Sequence, residues 1–389
     1  MNDGGAVAQG IGRPVLRKED WRLLTGKGRY VHDIALSNMA HAAFVRTPHP
    51  HARIIRIDTN AAAAAPGVIA VLTGADFLRD GRKFIPHKPT LVGPPDVTVR
   101  IKDGFTVYIA PQPTLAPDET RFVGEAVAMV VAETAAAARD GAELVAVEYQ
   151  PLPAVARASD AVKPGAPLVW SDCAGNLSVD IEVGDKAAAD AAFARAAHVV
   201  RLETWIQRVT GSPMEPRAAI GDYDAANERF TIYAGSGGGV VREKQTLAQV
   251  LDVPEAQVRA VCGDMGGNFG TRNTFFAEYA LLPWAAKRLG RPVKWVGERQ
   301  ECFLSDYQGR DLAVEAELAL DAEGRFIALR GTNLSNIGAY TAHFTPLRKG
   351  LGIMSGVYAI PAVHFRGVAA VTHTVPTTPY RSAGRPEAI

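Results

Sequence analysis

Cysteine is scarce in this sequence of 389 residues. Cys173, Cys262 and Cys302 are the only three, widely spaced and without a C-x-x-C pair. That pattern excludes a cysteine-ligated iron–sulfur cluster held by this chain and argues against a disulfide scaffold. A reducing cytoplasm is the simplest compartment. An excess of one charge is missing as well: 42 basic side chains face 41 acidic ones, leaving +1. No basic surface therefore announces nucleic acid or a membrane. No apolar run approaches the roughly 18 residues that span a bilayer. The opening MNDGGAVAQGIGRPVLRKED has neither a hydrophobic signal core nor a twin-arginine pair, which speaks against export. Compact catalytic signatures are absent too. His49-x-His51 has no third metal ligand nearby, H-E-x-x-H and G-x-S-x-G do not occur, and Gly26–Lys27 runs into Gly28 rather than completing a Walker sequence. What remains is 47% apolar and 21% charged, the balance of an ordinary globular chain of two or three domains.

The first 20 residues are Gly-rich and polar and are expected to form a flexible arm. MAHAAFVRTPHPHARIIRID alternates apolar and β-branched residues and predicts two strands. An alanine-rich helix stops at Pro66–Gly67, and Val68–Leu72 form a short strand. Residues 80–118, rich in Pro and Gly, are expected to wander over the surface. Ala126–Ala132 reads as a buried strand, Thr134 as the N-cap of a helix and Leu144–Gln150 as a returning strand. This β-α-β unit closes a first domain near residue 155. Residues 156–197 are expected to be a linker with a short alanine helix. A second domain opens at His198 with HVVRLETWIQ, followed by paired strands AAIGDYD and RFTIYAG, a helix over Glu243–Leu251, a strand at Val258–Cys262 and an apolar helix over Thr274–Leu289. Further strands are expected at Val293–Val296, Leu312–Ala319 and Phe326–Ser335. The fold class is α+β or mixed α/β.

Four stretches could carry chemistry. GDMGGNFGTRN, Gly263–Asn273, lies between a buried strand and a long helix. Glycines let backbone approach a ligand, and free N–H groups at the helix start can hold an oxygen or phosphate. A plain tight turn would look the same. AGSGGG, Ala234–Gly239, resembles a dinucleotide loop, but Val240 stands where G-x-G-x-x-G needs its last glycine. In SPMEPRAAIGDYD, Pro213 and Pro216 stiffen a bend that presents Glu215 and Arg217; either they position a polar ligand or they form a surface ion pair of little worth. In TTPYRSAGRPEAI, Arg381 and Arg385 lie on a Gly/Pro-rich loop. Guanidinium groups suit carboxylate, carbonyl or phosphate oxygens, and the plain alternative is a tail with two solvated arginines.

Together and in order, GKGRYVHDI, AAFVRTPHPHARI, RFVGEAVAMVVAE with VEYQPLPAV, SPMEPRA, GDMGGNFGTRN, ERQECFLSDYQGRD, SNIGAY and PYRSAGRPEA resemble the molybdenum-cofactor-binding large subunit of the xanthine dehydrogenase family. That family includes xanthine and aldehyde oxidases, carbon monoxide dehydrogenase and N-heterocycle hydroxylases. The resemblance runs from about Ile11 to the last residue. It implies an α/β hammerhead domain over 21–155 and the first molybdopterin-binding domain over 198–389, with the family's large subunit continuing for a comparable length.

It also implies a molybdenum–molybdopterin cofactor, in the cytosine dinucleotide form, bound by Gly266, Gly267, Asn268, Phe269 and Gly270 and by Ser236, Gly237 and Gly238. Arg381 is implied as the catalytic residue beside the substrate; the residue patterns above add Glu215 and Arg385 as expected substrate contacts. Ser382 stands where carbon monoxide dehydrogenases carry a copper-holding cysteine, which points away from carbon monoxide. Where many relatives have a glutamine near the metal, this sequence reads Ser236-Gly237-Gly238-Gly239. FAD and 2Fe-2S centres are expected on partner subunits, and the general-base glutamate on the C-terminal half of the large subunit.

Three readings follow. The first is a split large subunit completed by a second polypeptide, hydroxylating an N-heteroaromatic or aldehyde substrate with water-derived oxygen. The second is an inactive truncated fragment. The third is a non-catalytic scaffold of the same fold.

Overall fold

The computed structural model describes residue 12, residues 15–92 and residues 97–388. Most of the arm expected over 1–20 lies outside the described residues. Among those described, strands assemble into three sheets. The seven-stranded sheet runs in the order Val258–Val261, Arg229–Ala234, Ala218–Asp224, Val293–Val296, Ala40–Arg46, Ala126–Ala132, Val68–Thr73. It therefore joins strands from both sides of residue 155. The suture is the short strand Val293–Val296. It pairs antiparallel with one side, Ala219 opposite Trp295, and parallel with the other, Ala40 opposite Val293. Packing continues across the join: the Phe44 and Trp295 rings meet edge to face at 5.5 Å, both buried. The core strand Ala126–Ala132 is buried at every position, which explains its unbroken apolar sequence. Thr134 caps the next helix, Ala135–Glu143, by accepting the Ala137 N–H at 3.1 Å.

The six-stranded sheet runs Arg100–Ile101, Leu177–Gly184, Val363–Val371, Phe326–Gly338, Gln308–Leu320, His198–Thr210. Here the structure departs from two expectations. Residues 156–197 are more than a linker: Leu177–Gly184 is an inner strand, paired antiparallel with Val363–Val371 along seven residues from His364–Gly184 to Ala370–Leu177. The alanine helix follows it at Lys186–Ala194. Residues 80–118 do not simply wander, since Arg100–Ile101 pairs with that strand and Ile85 bridges to Gln112. Leu177–Gly184 does carry a strand's period, Leu177, Val179, Ile181 and Val183 alternating with Ser178, Asp180 and Glu182, and the linker reading passed over it. A small third sheet, Glu119–Thr120, Ala52–Asp58, Ala146–Pro151, completes the set. No helix among the described residues is long and apolar enough to cross a membrane.

A buried charge network ties the two sides of the large sheet together. Arg217, fully buried, donates to Glu278 Oε2 at 2.7 Å, to Asp306 Oδ1 at 2.5 Å and to Ser305 Oγ at 2.7 Å. Arg46 reaches Glu278 Oε1 at 2.7 Å and Glu301 Oε1 at 2.8 Å from the other side. The two guanidinium groups hold the Glu278 carboxyl down at about 2 in spite of its burial. The Arg217 guanidinium also lies 4.1 Å from the Phe276 ring centroid. Arg217 is thus a core residue rather than half of a surface pair.

Candidate active site

Strands Arg229–Ala234 and Val258–Val261 are parallel neighbours, Ile232 opposite Ala260. Their C-terminal ends therefore deliver two glycine-rich loops side by side at one rim of the sheet, the position where ligands bind in open α/β sheets. The first loop, Gly235–Gly239, leads into helix Val240–Leu251. The second spans Gly263–Gly270 and leads into helix Ala277–Leu289.

The loops interlock. Gly237 N–H donates to the Arg272 carbonyl at 2.9 Å. A Cβ on Gly237 would stand 2.0 Å from Asn268 Nδ2, so only glycine permits the contact. Asn268 braces its own loop, donating to Asn273 Oδ1 at 2.9 Å and accepting the Gly270 N–H at 3.0 Å. Asp264 fixes the loop's start: its carboxylate accepts two bonds from Arg22, at 2.5 and 2.6 Å, and the Arg29 N–H at 2.6 Å. These donors hold it below the usual carboxylate range. The result is Phe269 at φ +53°, a left-handed conformation uncommon outside glycine, turned toward a third loop.

That third loop is PYRSAGR, Pro379–Arg385. Arg381 N–H donates to the Phe269 carbonyl at 2.9 Å, and the Arg381 guanidinium lies 5.5 Å from the Phe269 ring centroid. The loop is anchored, not a loose tail. Thr378 N–H donates to the Gln308 carbonyl at 2.7 Å. Fully buried Glu387 accepts Gly384 N–H at 2.8 Å and Arg310 Nη1 at 2.9 Å.

Phe269, Gly270, Arg381 and Arg385 line one cavity of about 790 Å³. Ser236, Gly237, Gly238, Gly266, Gly267 and Asn268 do not line it. They form the packed layer that shapes the loops. Ser236 Oγ donates to Glu243 Oε2 at 3.2 Å, and burial pushes the Glu243 carboxyl up to about 7. Glu215, expected at the substrate, is not among the lining residues: its carboxylate accepts the Gly266 N–H at 2.7 Å and lies 3.7 Å from Arg272. The proline-stiffened bend thus serves the glycine loop beside it.

The sequence reading missed the rest of the lining. Lys88, Arg242, Arg348 and Lys349 join Arg381 and Arg385, while no carboxylate among the described residues lines the cavity. His87 and His343 are also there. Burial pushes both down to about 4, with nearby Arg242 and Arg348 adding to the effect on His343, so both are neutral at pH 7. His87 Nε2 donates to Gln112 Oε1 at 2.7 Å, which fixes its tautomer. No local motif marks these residues, which come from separate segments.

With this geometry in place, the comparisons agree. Residues 170–389 match the family described as molybdopterin cofactor-binding domain, and residues 25–153 match the aldehyde oxidase and xanthine dehydrogenase a/b hammerhead domain. The chain belongs to the xanthine dehydrogenase family of molybdopterin-binding large subunits. A gamma subunit of the 6-hydroxypseudooxynicotine dehydrogenase complex of Paenarthrobacter nicotinovorans is 34% identical over 387 residues, 99% of this chain and 47% of that protein. Quinoline 2-oxidoreductase from Pseudomonas putida 86 superposes with TM-score 0.85 at 35% identity, over 96% of this chain and 46% of that one. The chain thus spans about half the length of these relatives. The nicotinate dehydrogenase large molybdopterin subunit of Eubacterium barkeri, 25% identical, is matched over 99% of this chain and 84% of its own length. The hammerhead-plus-molybdopterin architecture implied by the sequence motifs is therefore the architecture of this family member.

Proposed function

We propose that this chain forms one wall of the active site of a molybdenum hydroxylase that oxidises an N-heteroaromatic or aldehyde substrate with oxygen derived from water. One observation carries the reading: the Phe269 turn and the Arg381 loop, bonded backbone to backbone, face a common cavity.

The residues present fit a molybdopterin dinucleotide. The group is anionic, and the cavity presents cations without carboxylates among its described lining residues. Thr274 Oγ1 and Arg348 Nε, both on lining residues, are buried without a hydrogen-bond partner among the described residues. Phe269, Gly270 and Thr274 would hold the cofactor, with Gly266, Gly267, Asn268, Ser236, Gly237 and Gly238 fixing their positions. When bound, the cofactor supplies the two-electron oxidation and the oxygen transfer. Arg381 then orients and polarises the substrate. Loss of such a donor costs about 3–4 kcal/mol of transition-state stabilisation where it meets developing charge. The neutral His87 and His343 withhold protons from the cavity near pH 7.

The general base and the opposite wall belong, in this proposal, to the C-terminal half of the family's large subunit carried on a second polypeptide. The Eubacterium barkeri relative, matched over most of its own length, supports such a division. FAD and 2Fe-2S partner subunits in the cytoplasm would carry electrons away, and the dinucleotide is the cytosine form. The test is to isolate the chain with its partners from its native cell, then measure molybdenum, cytidine nucleotide released on denaturation, and partner masses. Stoichiometric molybdenum with a second-half polypeptide is the expected result. A metal-free complex that retains full function would overturn the proposal.

A further inference from the structure

Strand His198–Thr210 stands at one edge of the six-stranded sheet and pairs only with Gln308–Leu320, in one register from His198–Leu320 to Thr210–Gln308. Along its outer side, its backbone N–H and C=O groups bond to no other strand among the described residues. The other edge strands of the two large sheets are shorter: two residues at Arg100–Ile101, four at Val258–Val261 and six at Val68–Thr73. This one is 13 residues long, with no Pro, no Lys and no break in register, the devices by which an edge refuses a partner. Its side chains are those of an inner strand. Val199 and Trp205 lie on one face and Val200 and Leu202 on the other, exposed by 51, 61, 57 and 44%. Apolar residues on both faces suit a strand that is covered on both faces. Glu203 faces Glu315 across the pair, and neither forms a salt bridge with a described residue, whereas Arg201 beside them is taken by Glu317 at 2.6 Å. Like charges directly opposite are destabilising, and a basic side chain on a further strand relieves them.

We propose that this edge accepts a strand from the polypeptide that completes the site, with apolar side chains on both faces and a Lys or Arg near Glu203. The identity of that polypeptide rests on the split-subunit reading; the pairing rests on the edge alone. Position favours this occupant. Thr210 pairs with Gln308, and Gln308 bridges to Thr377 at the start of the Arg381 loop. Gly211, next in the chain, sits so close to Thr271 that a Cβ would stand 2.8 Å from its Oγ1. The edge therefore runs out beside the glycine loop and the Arg381 loop, and a strand laid along it is led to the cavity that lacks its opposite wall. The matched relatives are about twice as long as this chain, which is material enough for such a strand. A second copy laid antiparallel on the same edge would cover the apolar side chains too. Its own loops, however, would lie about 40 Å from this cavity, at a rise of about 3.3 Å per residue.

The experiment uses the complex purified with its partners and reads hydrogen exchange amide by amide along residues 199–209. A strand paired on both sides shields successive amides, whereas a one-sided edge shields only every second one. Slow exchange at successive amides is the expected result. Benzophenone maleimide attached at His198→Cys, at the end of the strand away from the cavity, should cross-link to the second-half polypeptide and not in the parent. Val200→Lys should lower the amount of that polypeptide held by this chain about tenfold or more, because a covered face excludes the charge. At a bare edge the same change costs nothing. Glu203→Gln should weaken the association; a gain, from relief of the Glu203–Glu315 repulsion alone, would overturn the charge assignment. Alternating exchange without a cross-link, in a complex that holds molybdenum and the second-half polypeptide, would overturn the pairing and leave the hydroxylase reading intact. A cross-link to a second copy of this chain, or to an iron–sulfur or flavin subunit, would equally overturn it. The expected pairing in a complex that never holds molybdenum would end the hydroxylase reading and leave this one standing.

Discussion

Gly270→Ala tests the joint on which the site depends. Gly270 has φ +94°, and a Cβ there would stand 2.5 Å from the Pro379 carbonyl oxygen and 3.1 Å from its carbon. These are backbone atoms of the loop that carries Arg381, so no side chain can swing aside. Two costs add. Forcing an L-residue into this conformation costs about 1–2 kcal/mol. Displacing a packed backbone costs about 1–3 kcal/mol, the range for overfilling a well-packed interior. Gly290 supplies the control: it is left-handed too, at φ +66°, and an added Cβ meets nothing within 4 Å. Gly290→Ala therefore carries the conformational term alone, about 1–2 kcal/mol. Urea unfolding of both variants, compared at constant m, isolates the contact term as their difference. The expected excess for Gly270→Ala is about 1–3 kcal/mol. Equal destabilisation by the two variants would refute the idea that the Phe269 turn and the Arg381 loop are locked by direct backbone contact.

Three further outcomes are expected. Arg217→Ala leaves Glu278 and Asp306 buried without their principal partner, and should cost about 3–5 kcal/mol by denaturant titration; a loss under about 1 kcal/mol would mean that water reaches the site. Asn268→Ala strands the Gly270 N–H and Asn273 Oδ1, at about 1–3 kcal/mol, and should make the Gly263–Gly270 loop sensitive to limited proteolysis; unchanged cleavage rates would contradict its bracing role. Burial raises the carboxyls of Glu125 and Glu243 to about 7, above the usual value near 4.5. A raised carboxyl binds its proton more tightly in the folded state. Each group's contribution is therefore complete below about pH 4.5 and falls as pH rises toward 7, by up to about 3 kcal/mol per group. Glu243→Gln should flatten that slope in thermal melts between pH 4.5 and 7, and an unchanged slope would disprove the assignment.

The order of elements was legible where local patterning is strong. Ala126–Ala132, the Thr134 cap and the paired strands Ala218–Asp224 and Arg229–Ala234 follow from burial, capping and alternation within a few residues. Leu177–Gly184 was legible too, since Leu, Val, Ile and Val alternate there with Ser, Asp and Glu, but the linker reading passed over it; Val363–Val371, buried along most of its length, lacks that period. Within the site, Phe269 and Arg381 were legible as glycine-rich loop residues, and the structure brings them together. Glu215 was read as a ligand contact because a carboxylate on a stiff bend looks the same whether it meets a substrate or a neighbouring N–H.

By itself, the sequence determined the backbone chemistry: which turns must be glycine, which strands are buried, and which loops follow strands Arg229–Ala234 and Val258–Val261. These are short-range matters of sterics and periodicity. The tertiary structure alone decided that Val293–Val296 joins both sides of one sheet, and that Lys88, Arg242, Lys349 and Arg385 converge on one cavity. Charges far apart along a chain carry no mark of their future neighbours. Only pairing and packing across many residues settle which of them meet an acidic partner and which are left facing a common space.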